Sequence, residues 1–189
     1  MRTFLPKCMK SLDDTGLKSL KWEQSGKLAS RLVTDGQTVA TLTWVKSWGS
    51  LAKGESADGE WTLKRLGFLR PRVAVRENGS DFDLAVLSIN WAGEGAVVFS
   101  DGETFQFKRS GFWHPDWSMF DSGGRRLLLL KPDTGWKEKK ADVEIENATI
   151  LSKRILLLTV LSWYVILLIS DYDYDGGGSI AAVMAATGM

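Results

Sequence analysis

The sequence predicts a mainly β fold: a closed antiparallel barrel of about twelve strands around a central, hydrophobic C-terminal α-helix. Three observations carry this expectation. Short alternating runs punctuated by Gly, Asp and Asn fill the chain from 17 to 146. Nine Trp, eight Phe and three Tyr in 189 residues favour pleated, half-buried surfaces, where each aromatic side chain covers a large area. The segment 155–169 is apolar around its whole circumference instead of along one stripe, so it has to be surrounded.

The turns come first. Thr34-Asp35-Gly36-Gln37, Asn78-Gly79-Ser80-Asp81 and Ser100-Asp101-Gly102-Glu103 place Gly beside Asp or Asn, where a tight hairpin needs positive φ. Gly93-Glu94-Gly95, Asp121-Ser122-Gly123-Gly124 and Asp133-Thr134-Gly135 add further turns at the spacing of a barrel or sandwich. Between them the two-residue period shows. Trp61 and Leu63, Phe105 and Phe107, Val73 and Val75, and Val143 and Ile145 alternate with polar or small neighbours, predicting one dry and one wet face. Leu127 to Leu130 is apolar on both faces.

The helix is predicted over 150–170, with Asn147 as its cap and Asp171-Tyr172-Asp173-Tyr174-Asp175-Gly176 ending it in water. Lys153 and Arg154 early and acids late oppose the helix dipole, so burial has to hold the segment helical. Two surroundings can bury it. A helix over 155–169 is about 22 Å long, short of the roughly 30 Å hydrocarbon core of a bilayer, whereas a closed meander has an interior that needs filling. The expected organisation is an N-terminal segment (1–16), a barrel domain (17–175) and a flexible Gly/Ala-rich tail (176–189). The alternative is a tail-anchored membrane protein, with 155–169 as the span and the meander as a cytosolic domain.

Charge is balanced, 24 basic against 23 acidic residues, so no overall field marks a nucleic-acid binder. Cys8 is the one cysteine, which excludes an intramolecular disulfide and a cysteine zinc cage. Met1 to Lys10 has no apolar run of signal-peptide type after it, so a cytoplasmic protein is expected. His114, the one histidine, has no second histidine or cysteine near it in sequence and no nucleophile-elbow pattern around it. Neither GxGxxG nor a Walker A lysine occurs. Asp171, Asp173 and Asp175 lack the downstream glutamate of a calcium loop. No enzyme activity, cofactor, metal or nucleic-acid partner is expected.

The hydrophobic segment 155–169 followed by Asp171 and Asp173, with the meander before it, resembles the tubby C-terminal-like superfamily, which includes tubby domains, phospholipid scramblases and LURP-one-related proteins. The resemblance spans about 17 to 173 and is architectural. It implies a closed barrel of about twelve strands wrapped around a C-terminal helix. A tubby-type phosphoinositide site does not align residue by residue, and a scramblase calcium-binding stretch is missing, so the family's functions do not transfer.

What remains is a basic surface. Lys64, Arg65, Arg70, Arg72 and Arg76 lie along one meander segment, and Lys108, Arg109, Arg125 and Arg126 along another. If adjacent strands bring both groups to one outer face, they attract an anionic lipid headgroup or phosphorylated ligand. Lys64, Arg65, Arg70, Arg72, Arg76, Lys108 and Arg109 are the candidate ligand-binding residues, and the chain is read as a monomeric, non-enzymatic binding or scaffold module. Trp44, Trp48, Trp61, Trp91, Trp113 and Trp117 are read as core in preference to a stacking platform.

Overall fold

A computed structural model describes residues 19–47, 49–67, 71–90, 94–111, 115–133, 139–146 and 152–174, with side chains of the last stretch over 154–170. Strands form where the alternation places them: β1 (Leu20–Gly26), β2 (Ala29–Thr34), β3 (Gln37–Trp44), β4 (Ala52–Ser56), β5 (Gly59–Leu66), β6 (Arg72–Glu77), β7 (Ala85–Ile89), β8 (Gly95–Phe99), β9 (Thr104–Ser110), β10 (Asp116–Phe120), β11 (Arg126–Asp133) and β12 (Lys140–Ile145). Each pairs antiparallel with its sequence neighbours. β1 closes the barrel on β12, with Leu20 against Val143 and Trp22 against Ala141. The fold class expected from the sequence is the one observed.

Odd-numbered strands all run the same way, which gives the barrel two distinct rims. The lower rim holds the hairpins β2–β3, β4–β5, β6–β7, β8–β9 and β10–β11, and each of these turns carries an aspartate: Asp35, Asp58, Asp81, Asp101 and Asp121. The β2–β3 turn shows why the sequence bends there. Asp35 and Gly36 both sit at positive φ, 48° and 74°, the mirror-image turn whose twist matches the flanking strands. The predicted turns over 134–135 and at Gly93 lie outside the described residues.

Inward positions fill the interior with Trp61, Leu63, Val73, Val75, Phe105, Phe107, Leu128 and Leu130, all buried. Leu129 points the other way by strand parity and is buried as well, while Leu127, at the irregularity in the β10–β11 pairing, joins the core. Ile145 is only half-buried, because it ends its strand.

Through the middle runs α1 (Ser152–Tyr174). Its residues 155–167 are all buried, so the oily segment is sheltered by its own chain. No described helix is long and apolar enough to cross a membrane, and the bilayer placement of this segment has no counterpart in the structure. The expected end at 170 is corrected: the backbone stays helical through Asp171–Tyr174. Acidic residues do not break a helix, and the first strong breaker after 170 in the sequence is Gly176. Asn147 and the tail 176–189 lie outside the described residues, as does the N-terminal segment 1–16.

Two buried hydroxyls of α1 are satisfied within the helix itself. Thr159 Oγ1 donates to the Ile155 carbonyl and Ser162 Oγ to that of Leu158, each at 2.7 Å. Trp163 stacks on Trp22 of β1 with ring centroids 5.8 Å apart. Tyr164 stacks on Trp44 of β3 at 4.9 Å and donates to the Ser50 carbonyl at the upper rim. On β4, Gly54 faces inward against α1. A Cβ there would lie 2.7 Å from Val160 Cγ1.

The lower end of α1 resolves the dipole conflict noted in the sequence. Arg154 carries a positive charge in the first turns, where a helix favours negative charge. The β8–β9 turn supplies what the helix lacks: the Arg154 guanidinium donates to Asp101 and Glu103 and lies 4.2 Å from the centre of the Phe99 ring. These bonds, the Arg154 hydrogen bond foremost, hold the Asp101 carboxyl below its ordinary value of 3.8. A carboxyl whose folded-state pKa is depressed adds stability that is present above the unfolded value and lost as pH falls through the folded one. Acid unfolding of Asp101→Asn is therefore expected to be less steep below about pH 4 than that of the wild type, monitored by circular dichroism; identical acid limbs would show that the clasp does not couple to folding.

Candidate functional site

Strand parity sorts the seven predicted basic residues. On β5, Trp61, Leu63 and Arg65 share one face, so Arg65, paired with Val73, takes an inward position at the upper rim. Burial pushes the phenol of Tyr164 well above its ordinary value, and the nearby Arg65 amide and guanidinium offset part of that rise. On β9, Phe105, Phe107 and Arg109 likewise share the inward face, and the Arg109 guanidinium lies 5.6 Å from the centre of the Trp117 ring. Neither arginine belongs to the outer face that the sequence suggested. Arg70 lies outside the described residues.

Lys64, Arg72, Arg76 and Lys108 do point outward, but they do not converge. β7 and β8 separate β6 from β9, and three inter-strand steps of about 4.8 Å keep Lys108 roughly 14 Å along the sheet from β6. Lys108 instead rests over the Phe120 ring at 5.1 Å. Arg76 is committed to Asp83, Nε to Oδ1 at 2.6 Å.

What the outer face does assemble is a diagonal on three adjacent strands. Lys53 on β4 is opposite Thr62, two residues from Lys64 on β5; Lys64 is opposite Ala74, two residues from Arg72 on β6. Such diagonal neighbours lie roughly 7–8 Å apart, and all three side chains are exposed. None of them has a carboxylate partner among the described residues. The outward positions around Lys64 and Arg72, namely Thr62, Leu66, Ala74 and Ser88, carry no acid, whereas Lys53 has Glu55 two residues along its own strand and Glu60 on its other diagonal of β5. Lys53 was missed from the sequence because Ala52-Lys53-Gly54-Glu55-Ser56 has almost no apolar contrast to mark its parity.

The tryptophans are core, as expected, wherever they are described: Trp22, Trp61, Trp117 and Trp163 are buried and Trp44 packs on Tyr164. Trp48, Trp91, Trp113 and His114 lie outside the described residues. Among the described residues no group of three or more His, Cys, Asp or Glu is placed to hold a metal ion.

Comparison with known proteins adds no relative: no family model, no curated protein and no solved structure matches this chain. The function has to be argued from the geometry alone.

Proposed function

We propose that this protein is a non-enzymatic, monomeric, cytoplasmic binding module of the tubby C-terminal-like kind, which associates with anionic phospholipid surfaces through the outer face of β4, β5 and β6. The observation that carries this reading is the diagonal of Lys53, Lys64 and Arg72, exposed and without carboxylate partners among the described residues. A barrel holding three cations in a row presents them to a plane of negative charge with the backbone already ordered, and each is worth about 1 kcal/mol near an anionic membrane. The barrel-and-plug architecture supports the kinship. Arg65, Arg76, Lys108 and Arg109 are left out of the site by parity or by existing partners.

Liposome sedimentation at physiological salt tests it. The wild type is expected to pellet with phosphatidylserine-containing vesicles and not with phosphatidylcholine alone. The triple variant Lys53→Gln, Lys64→Gln, Arg72→Gln, with an unchanged melting temperature because all three positions are solvent-facing, should lose about 3 kcal/mol of that association. Equal pelleting on neutral and anionic vesicles would remove the lipid reading.

A further inference from the structure

Of the large apolar side chains exposed among the described residues, Val98 stands on strand β8 and the other three lie at the two ends of the barrel. At the lower rim Phe82 is 84% exposed, between Asp81 and Asp83 in a ring of aspartate-bearing turns. At the upper rim Val45 and Leu51 are 45% and 38% exposed and stand side by side, because the Val45 amide donates to the Leu51 carbonyl at 2.9 Å. Both point outward: Trp44 and Ala52, their inner neighbours, are paired and turned into the barrel. Carrying the register one step on from the Ala52–Leu63 pair sets Leu51 beside Lys64 on the outer face, while Lys53 lies two residues below Leu51 on the same strand.

The apolar pair is therefore the upper border of the cationic diagonal. A membrane-surface protein needs this combination: cations at the level of the headgroups and a few apolar side chains ahead of them to enter the acyl boundary. Phe82 lacks the same combination: Asp81 adjoins it, and the nearby cation Arg76 is already bound to Asp83. The β3–β4 edge of the upper rim is where exposed apolar side chains and outward cations adjoin, which makes it the contact.

We propose that the protein docks obliquely on an anionic bilayer, with the β3–β4 corner of its upper rim leading: Val45 and Leu51 enter the interface, Lys53, Lys64 and Arg72 lie on the headgroups, and the acidic lower rim faces away. This orientation rests on the lipid-association reading above and deepens it by naming which residues enter the membrane.

Environment-sensitive fluorophores test it in the full chain. In a Cys8→Ser background, single cysteines at Leu51→Cys or Phe82→Cys carry the probe. With phosphatidylserine-containing vesicles the probe at 51 should shift to the blue and the probe at 82 should not, and neither should respond to phosphatidylcholine. Leu51→Asp, at an exposed position that leaves the melting temperature in place, should weaken sedimentation on the order of tenfold. If the protein pellets with anionic vesicles while the probe at 51 stays silent, or Leu51→Asp pellets like the wild type, the orientation is wrong and a side-on association through the cations remains. Absence of any preference for anionic vesicles overturns the orientation together with the reading it rests on.

Discussion

Ending the chain after Glu146 is expected to leave a protein without a cooperative unfolding transition. The barrel wall would survive in sequence, but its inward face, with Trp22, Leu32, Leu63 and Phe107 among the fully buried side chains, would line a void as wide as a helix. Each large apolar residue of α1 contributes on the order of 1.5–3 kcal/mol through burial, and 155–167 is buried throughout. A net stability of about 5–15 kcal/mol for a domain cannot absorb that loss. The milder version, Leu161→Ala, should cost about 2–5 kcal/mol by cavity formation alone. Urea titration followed by tryptophan fluorescence reads both. A truncated protein that still melts as one sharp unit would mean the wall is self-sufficient and α1 merely occupies it.

Filling the space at Gly54 should do comparable damage from the opposite side. The Cβ of Gly54→Ala would meet Val160 Cγ1 at 2.7 Å, with Leu63 and Trp61 at 3.4 and 3.6 Å closing the other directions. Overpacking of this kind costs about 1–3 kcal/mol. Gly54→Leu, which also demands room for the rest of its side chain, should exceed that range and unhouse the helix. The contact is specific, so it can be rescued: Val160→Ala removes the clashing methyl, and Gly54→Ala combined with Val160→Ala should be less destabilised than the two single changes added together. A double-mutant cycle by chemical denaturation measures this coupling. Strict additivity would show that α1 and β4 do not meet at this point.

The wall was legible because its strands announce themselves by parity: Trp61 and Leu63, or Phe105 and Phe107, have no other reason to alternate. The plug was legible because an all-round apolar helix allows few surroundings. Its far end was not, since nothing in the sequence from Asp171 to Tyr174 stops a helical backbone. The cationic site shows the limit more sharply. Lys64-Arg65 and Lys108-Arg109 look like charge clusters along the chain, yet neighbours in a strand point to opposite faces, so only one member of each pair reaches the outside. That signal was present in Trp61, Leu63, Arg65 and in Phe105, Phe107, Arg109. The diagonal itself was not readable, because it depends on the offset between strands, and hairpin geometry sets that offset while composition does not.

Closure of β1 on β12 has a bearing on how anything recognises this protein. A ring of strands has no free edge, hence no row of unpaired amides and carbonyls for a foreign strand to extend. Recognition by strand addition is thereby ruled out along the wall, and so is the templated stacking that open sheets have to guard against. A partner must read side chains and rims, and a substitution on that surface can change what is bound without offering the sheet a new neighbour.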